Sequence, residues 1–233
     1  MGVPGEHVDG CLQDYMLLSE QAVVKAPHHL SDAEVATLPC AALTAWRSVV
    51  VEGQVKAGDK VLLQGSGGVS VFALQFCRML GAEVIMTTSS EEKAASLLEL
   101  GAHHVVNYRE HPEWSKRVRE LSGGAGVDHV VEVGGSGTFN QSLRSIRIGG
   151  HISMIGVLTG VADVIPTALI MSLNATVKGI TVGSRDDFEA MNRAISVAGI
   201  KPVIGQTLAF EEAAQAYRLM QSGGHFGKIC LRY

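Results

Sequence analysis

From residue 59 to residue 183 the sequence alternates short Val/Ile-rich runs with amphipathic stretches. Six of the apolar runs predict strands, at 60–65, 83–88, 104–108, 127–133, 151–157 and 176–183. The stretches between them predict helices at 69–80, 91–100, 113–121 and 138–144. Continuous apolar runs separated by helices are typical of a parallel sheet that is covered on both faces. We therefore predict a doubly wound α/β fold with the strand order 3-2-1-4-5-6.

The composition supports a folded chain and excludes several kinds of partner. Of the 233 residues, 46 % are hydrophobic and 18 % are charged, which is enough apolar material for a buried core and excludes intrinsic disorder. Aromatic residues make up 5 %, and the formal net charge is −4. Such a chain lacks the stacking side chains and the positive charge that attract nucleic acids or anionic membranes. We expect neither partner.

The spacing of the cysteines and the longest apolar window indicate the cellular compartment of the protein and whether it spans a membrane. The four cysteines are far apart and form no Cys-x-x-Cys pair: Cys11, Cys40, Cys77 and Cys230. This spacing favours a reducing compartment, and the N-terminus shows no signal-peptide pattern, so we expect a cytoplasmic protein. Asp163 and Pro166 interrupt the apolar window 152–173. The window therefore predicts a segment of the protein interior and not a membrane span.

The two flanks differ in pattern from the alternating region. Residues 1–45 contain a strand signal at 15–20 and a helix start at Ser31, which with Glu34 matches a capping box. After Gly199 we expect a strand at 203–210, a helix at 211–221 and a strand at 228–233. We interpret the flanks as parts of a second, discontinuous domain. The predicted division is 1–45, 46–184 and 185–233.

A glycine-rich turn follows the first predicted strand and opens the first helix. It consists of Gly65, Ser66, Gly67, Gly68, Val69 and Ser70. Free backbone N–H groups and the helix dipole make such a helix start a phosphate site. Gly65 allows the tight turn, and Gly67 lets a pyrophosphate approach the backbone. The turn predicts nucleotide binding, although a glycine turn by itself can also be a simple connection.

The end of the second strand distinguishes between dinucleotides. An NAD site usually has an acidic residue about 20 residues after the turn, whereas this chain has Thr87, Thr88, Ser89 and Ser90 there. Lys93 follows one helical turn later and can supply a cation for a 2′-phosphate. The alternative is that Ser89 and Ser90 cap a helix and Lys93 is a solvated surface residue. We predict NADP(H) as the cofactor, with NAD(H) as the weaker candidate.

Taken together, these residues resemble the medium-chain dehydrogenase/reductase superfamily, in its zinc-independent alcohol dehydrogenase-like and quinone oxidoreductase-like branches. The matching stretches run from residue 8 to residue 232: 38–46, 65–75, 100–109, 126–128, 131–135, 149–150 and 224–228. The resemblance implies a Rossmann dinucleotide-binding sheet with remnants of a second, GroES-like catalytic domain. It also implies hydride transfer between a nicotinamide and a small-molecule substrate, which is a carbonyl or alcohol, a quinone or an activated alkene.

The resemblance assigns further residues to the cofactor. Lys93 and Tyr108 match positions that hold the 2′-phosphate in NADPH-dependent relatives, and Thr44 matches a position near the nicotinamide ring. The remaining residues would border the adenosine, the ribose and the nicotinamide: Val133, Gly134, Ile155, Gly156, Val157, Gly183, Ser184 and Arg185. In the plainer interpretation, Tyr108 is a strand-end aromatic residue, Thr44 a helix hydroxyl and Arg185 a surface charge. No catalytic residue is assigned.

The chain departs from the family pattern because most of the GroES-like domain has no counterpart in it, and only its tail, at about 5–26, is recognisable. We expect a truncated domain, which puts catalytic competence in doubt. Cys40 matches a catalytic-zinc position, but one cysteine cannot form a site that needs three protein ligands. We expect Cys40 to be a small buried residue and assign no metal and no zinc.

Other function classes remain open. A non-catalytic nucleotide-binding fragment is the main alternative to an enzyme. A methyltransferase is disfavoured because no acidic residue ends the second strand, and a short-chain dehydrogenase because no Tyr-x-x-x-Lys occurs. The sixth strand is expected at the sheet edge, where its unpaired backbone groups favour pairing with a second copy. We therefore predict a homodimer.

Overall fold

In the computed structural model, residues 5, 7–162 and 164–233 are described. Residues 1–4 and 6 of the predicted N-terminal segment, and Asp163 of the apolar window, lie outside the described residues. A six-stranded parallel sheet forms the centre of the protein, in the order β3-β2-β1-β4-β5-β6. Its strands are β1 (Lys60–Gln64), β2 (Glu83–Thr88), β3 (His104–Asn107), β4 (Val127–Glu132), β5 (Ile146–Met154) and β6 (Thr176–Gly179). The predicted fold class and strand order are confirmed.

Nine α-helices occur in the described part of the chain. They are α1 (Asp32–Ala36), α2 (Leu43–Trp46), α3 (Gly68–Leu80), α4 (Glu91–Glu99), α5 (Trp114–Leu121), α6 (Ser136–Ser145), α7 (Thr167–Ser172), α8 (Arg185–Ala198) and α9 (Ala213–Ser222). Turns of π-helix at Leu38–Ala42 and Arg47–Glu52 flank α2. Ser31 caps α1 through the predicted capping box with Glu34.

The two faces of the sheet carry separate parts of the core. On β1, Val61 and Leu63 pack with α2, α3 and α8, whereas Leu62 packs with α5 and α6 on the other face. This follows from the two-residue period of a strand, since both faces of a parallel sheet are buried. Leu38, Met191 and Ile195 belong to the first of these clusters, so both flanks contribute to the core beside β1. The domain division at 45 and 184 stays a prediction.

The C-terminal part returns to the sheet. Strands β7 (Ile204–Ala209) and β8 (Lys228–Arg232) form a separate parallel pair. Just before β8, Gly227 makes an isolated bridge with Gly67. The last strand therefore starts beside the glycine turn.

Two local predictions of strands were wrong. Residues 15–19 form no strand and are largely exposed, and a short 3₁₀ turn follows at Glu20–Ala22. Strand β5 begins at Ile146 and not at residue 151, because it passes through Gly149 and Gly150, whose low strand propensity hides it in the sequence. Its register against β4 shifts between Val127 and His129, which accommodates the extra residues as a bulge.

The apolar window 152–173 does not lie in the interior throughout. Ile152 is buried, but Leu158, Val161 and Met171 are largely exposed. Within the described residues, no helix is long and apolar enough to cross a membrane. The prediction of an interior segment is therefore wrong beyond the end of β5.

Candidate functional site

The glycine turn forms an open cradle at the start of α3. Gly65 has φ +72°, a left-handed conformation that favours glycine, and its N–H donates to the carbonyl of Thr87 at 2.8 Å. Gly67 is extended, and no side chain caps the helix. A Cβ built on Gly65 or Gly67 would meet no atom within 4 Å. The space over the turn and the uncapped N–H groups fit a phosphate group.

Ser66, Gly68, Val69 and Ser70 complete the turn. The Ser70 hydroxyl donates to the carbonyl of Gln64 at 2.5 Å, so it ties the helix start back to β1. Gly68 is close to other atoms: a Cβ there would lie 2.5 Å from Cδ of Lys228 and 3.3 Å from Cβ of Ala41. Glycine at 68 is therefore needed for packing, whereas glycine at 67 leaves room for a ligand.

The ends of β2 and β3 bring the predicted 2′-phosphate residues to one edge of the sheet. Ser90 caps α4 by accepting the N–H of Lys93 at 3.3 Å, and Ser89 precedes it. Tyr108 follows β3, its N–H donates to Thr88 at 2.9 Å, and its side chain is 42 % exposed. The Lys93 ammonium donates to the carbonyl of Gly223 at 2.6 Å. Lys93 is thus hydrogen-bonded to the C-terminal segment at a partly exposed position.

Glu91, the acidic residue nearest to the end of β2, forms a hydrogen bond with a residue of β3. Glu91 accepts a hydrogen bond of 2.8 Å from the side-chain amide of Asn107. This contact holds the carboxylate towards the end of β3. Thr87 and Thr88, which end β2, are buried.

A buried carboxylate that sequence reasoning did not single out organises the end of β4. Glu132 is fully buried and accepts hydrogen bonds from five donors. These are Gln64 Nε2 (2.7 Å), Thr138 Oγ1 (2.6 Å), the N–H groups of Gly134 (2.8 Å) and Gly135 (3.0 Å), and the hydroxyl of Ser142. An acidic residue inside the apolar run Val130-Val131-Glu132-Val133 is the signal that could have found it.

The ends of β4 and β5 lie against each other beside this carboxylate. Ile155 donates its N–H to the carbonyl of Glu132 at 2.8 Å. A Cβ on Gly156 would collide with the carbonyl oxygen of Val133, so only glycine allows this approach. Val157 follows and is largely exposed. The predicted residues Val133, Gly134, Ile155, Gly156 and Val157 therefore form one group.

The remaining predicted residues form a second group near α2. Thr44 is buried, and its hydroxyl donates to the carbonyl of Cys40 at 2.7 Å. Gly183 lies close to Leu43, since a Cβ on it would be 3.0 Å from Leu43 Cδ1. Ser184 caps α8. Arg185 pairs with Glu189 at 3.0 Å and donates to the carbonyl of Gln21 at 3.2 Å, so its guanidinium holds the N-terminal segment.

Cys40 is exposed, and the prediction that it is buried is wrong, because it lies on the outer side of the π-helical turn before α2. In the described ranges, no three His, Cys, Asp or Glu side chains come together as a possible metal site. This part of the chain therefore offers no donor set for zinc. The lack of zinc stays a prediction.

The chain matches one family profile, described as "Zinc-binding dehydrogenase", over residues 68–196. A zinc-type alcohol dehydrogenase-like protein from Schizosaccharomyces pombe is 42 % identical over 230 residues, which are 96 % of this chain and 66 % of that protein. A quinone oxidoreductase from Pongo abelii is 29 % identical over 96 % of this chain and 70 % of its own length. The chain spans about two thirds of the length of these relatives.

Solved structures agree with the fold. A crystal structure of an NAD-dependent alcohol dehydrogenase matches with a TM-score of 0.93 and 36 % identity, over 100 % of this chain and 68 % of that chain. A mycobacterial protein complexed with NADPH matches with a TM-score of 0.82 and 27 % identity, over 90 % of this chain and 67 % of that chain. Structures of this kind thus include proteins named for either dinucleotide.

Proposed function

Because the chain belongs to the zinc-binding dehydrogenase family of medium-chain dehydrogenases/reductases, we propose that it is an NADP(H)-dependent oxidoreductase. Its substrate would be a small carbonyl or alcohol, a quinone or an activated alkene. The observation that carries the proposal is the uncapped start of α3 above Gly67, beside a β2 end where hydroxyls and Lys93 replace the usual carboxylate. When bound, the dinucleotide supplies or accepts the hydride.

The chain's own residues bind and orient the dinucleotide. The N–H groups at the start of α3 would hold its pyrophosphate. Ser89, Ser90 and Tyr108 can donate hydrogen bonds to a 2′-phosphate, and Lys93 can add a charge-assisted one. To do so, Lys93 exchanges its hydrogen bond with the Gly223 carbonyl for one with the phosphate. A charged acceptor replaces a neutral one, so the exchange favours binding.

The groups at the ends of β4 and β5 and near α2 would position the rest of the cofactor. The Glu132 network fixes the backbone of Gly134 and Gly135, and these residues would border the ribose. Thr44 and 183–185 would approach the nicotinamide end. Fixed geometry at the reacting carbon is how such a site contributes to hydride transfer.

The proposal has a direct test. The fluorescence of NADPH is titrated with the protein, and quenching or a blue shift that saturates supports binding. NADH is expected to give a weaker interaction. Absence of a signal with both dinucleotides would contradict the proposed cofactor.

A non-catalytic nucleotide-binding protein is the second candidate. It rests on the lack of an assigned catalytic residue among the residues of the candidate site. Turnover of NADPH with a panel of quinones and enals separates the candidates. Binding without turnover across the panel favours the second.

We also propose that the protein forms a cytoplasmic homodimer. Strand β6 pairs only with β5 within the described sheet, so its outer backbone groups are available to a second copy. Leu158 and Val161, in the segment after β5, are largely exposed. Apolar surface of this kind is stabilised when a partner covers it.

A further inference from the structure

The segment 223–228, between α9 and β8, passes directly beside the phosphate turn. The N–H of Gly227 donates to the carbonyl of Ser66 at 2.9 Å, and its backbone bridges to Gly67. Gly227 has φ +60°, and a Cβ there would collide with the carbonyl of Val203. Glycine at 227 therefore lets the segment approach the turn, and the side chains next to it are held at the rim of the cradle.

Lys228 lies over the first residue of α3. A Cβ built on Gly68 would lie 2.5 Å from Cδ of Lys228, so the aliphatic part of the lysine side chain covers the start of the helix. Among the residues described, its ammonium has no ion pair or hydrogen bond. An unpaired cation beside an uncapped helix N-terminus adds to the positive potential of that helix end.

His225 is close enough to both Lys93 and Lys228 for their charges to act on its imidazole. Its Nδ1 is buried and, in the described part of the protein, has no hydrogen-bond partner. Burial lowers the pKa of the imidazole, and the positive charges of Lys93 and Lys228 lower it further, against an opposing interaction with the backbone of Leu219. A buried nitrogen without a partner costs free energy unless a ligand binds it.

We propose that segment 223–228 is a second wall of the phosphate site, in which Lys228 contacts the cofactor's pyrophosphate and His225 joins Lys93 at the 2′-phosphate. The inference rests on the proposed function. It adds residues that are more than a hundred positions away from the glycine turn in sequence. Lys228 and His225 have different roles because they lie in different places. Lys228 covers the start of α3, whereas the segment beside His225 is hydrogen-bonded to Lys93 through the carbonyl of Gly223.

The test compares the affinities of two variants for NADPH and NADH by fluorescence titration. Lys228→Met keeps the stem over Gly68 and removes the charge, and we expect affinity for both dinucleotides to fall about tenfold or more. His225→Phe keeps the ring and removes the nitrogens, and we expect weaker binding of NADPH by several-fold with NADH unchanged. Thermal unfolding of each variant verifies the fold.

Lys56→Met is the matched control. Lys56 precedes β1, at the opposite end of the sheet, and its ammonium forms an ion pair with Asp59. Lys56→Met therefore removes the same charge far from the glycine turn. If both test variants bind like this control, the second wall is wrong while the proposed function stands. If the unaltered protein binds neither dinucleotide, the proposed function itself fails.

Discussion

The side-chain amide of Gln64 donates a hydrogen bond of 2.7 Å to the buried carboxylate of Glu132, which joins the end of β1 to the end of β4. The amide oxygen of the same Gln64 accepts the N–H groups of Val133 and Gly134, at 3.2 and 3.1 Å. Strand order reverses between β1 and β4, and ligands of doubly wound sheets bind at this crevice. The pair therefore holds both sides of the candidate site in one geometry.

Glu132→Ala should strongly destabilise the protein. The change removes the acceptor shared by the buried side chains of Gln64 and Ser142 and the half-buried hydroxyl of Thr138, and we expect a loss of at least about 2 kcal/mol in the free energy of unfolding. Chemical denaturation measures it. Glu99→Ala, on an exposed position of α4, should change stability by less than about 0.5 kcal/mol. Equal effects of the two changes would contradict the role of Glu132.

Lys93→Ala should discriminate between the dinucleotides. Loss of one charge-assisted hydrogen bond should weaken the binding free energy of NADPH by about 1.5–3 kcal/mol. NADH has no 2′-phosphate, so its affinity should barely change. Titration of both cofactors is the measurement, and equal losses would remove the assignment of Lys93 to the 2′-phosphate.

Gly67→Val should abolish binding of either dinucleotide and leave the fold intact. The backbone of Gly67 is extended, at φ −77°, and its Cβ direction is open, so valine meets no strain there. The new side chain would instead occupy the space of the pyrophosphate. Unchanged titration curves in a variant with unchanged thermal unfolding would show that the turn is only a connection.

The same substitution one residue later has a different effect and serves as the comparison. Gly68→Val places its Cβ 2.5 Å from Lys228 and 3.3 Å from Ala41. We expect a lower melting temperature for this variant, whereas Gly67→Val should melt close to the unaltered protein.

Stability should fall as the pH falls below about 6.5. His129 is buried beside His151, and burial lowers the pKa of its imidazole from the usual 6.5 to about 3. Between these pH values the unfolded chain binds a proton that the folded chain does not, so the free energy of unfolding decreases by up to about 1.4 kcal/mol per pH unit. Above pH 6.5 this contribution is constant.

His129→Gln should reduce that slope, and denaturation at several pH values between 4 and 7 measures it. The half-buried imidazoles of His151 and His225 also have lowered pKa values, so part of the slope should remain. The exposed His111→Gln is the control. A slope that is the same in both variants would contradict the assignment to His129.

The predicted dimer can be measured by light scattering over a tenfold dilution series. We expect the mass of two chains, and Val161→Glu, at a position that is 86 % exposed, should shift the mass towards one chain because it places charges in the contact. Val197→Glu, at an exposed position of α8, should not change the mass. A monomer mass at every concentration would contradict the dimer, and a mass that grows without limit would indicate non-specific association.

Much of this site was predictable because its signals are local. The strands at 60–65 and 83–88 and the helix after Gly67 follow from short-range periodicity and from the conformations that glycine allows. The same reasoning failed at β5, which contains Gly149 and Gly150. Pairing with β4 holds these two residues in a strand despite the low strand propensity of glycine. The exposure of Cys40 was missed because the prediction rested on the general tendency of cysteine to be buried and not on the packing around this residue.

The sequence by itself determined the order of strands and helices, the glycine turn and the lack of a carboxylate at the end of β2. Only the tertiary structure decided which distant residues lie beside the glycine turn and the end of β2. Lys93 contacts Gly223, and Lys228 covers Gly68, although these partners are far apart along the chain. Their proximity arises from how the C-terminal segment packs on the sheet, and local sequence propensities do not reveal such long-range contacts.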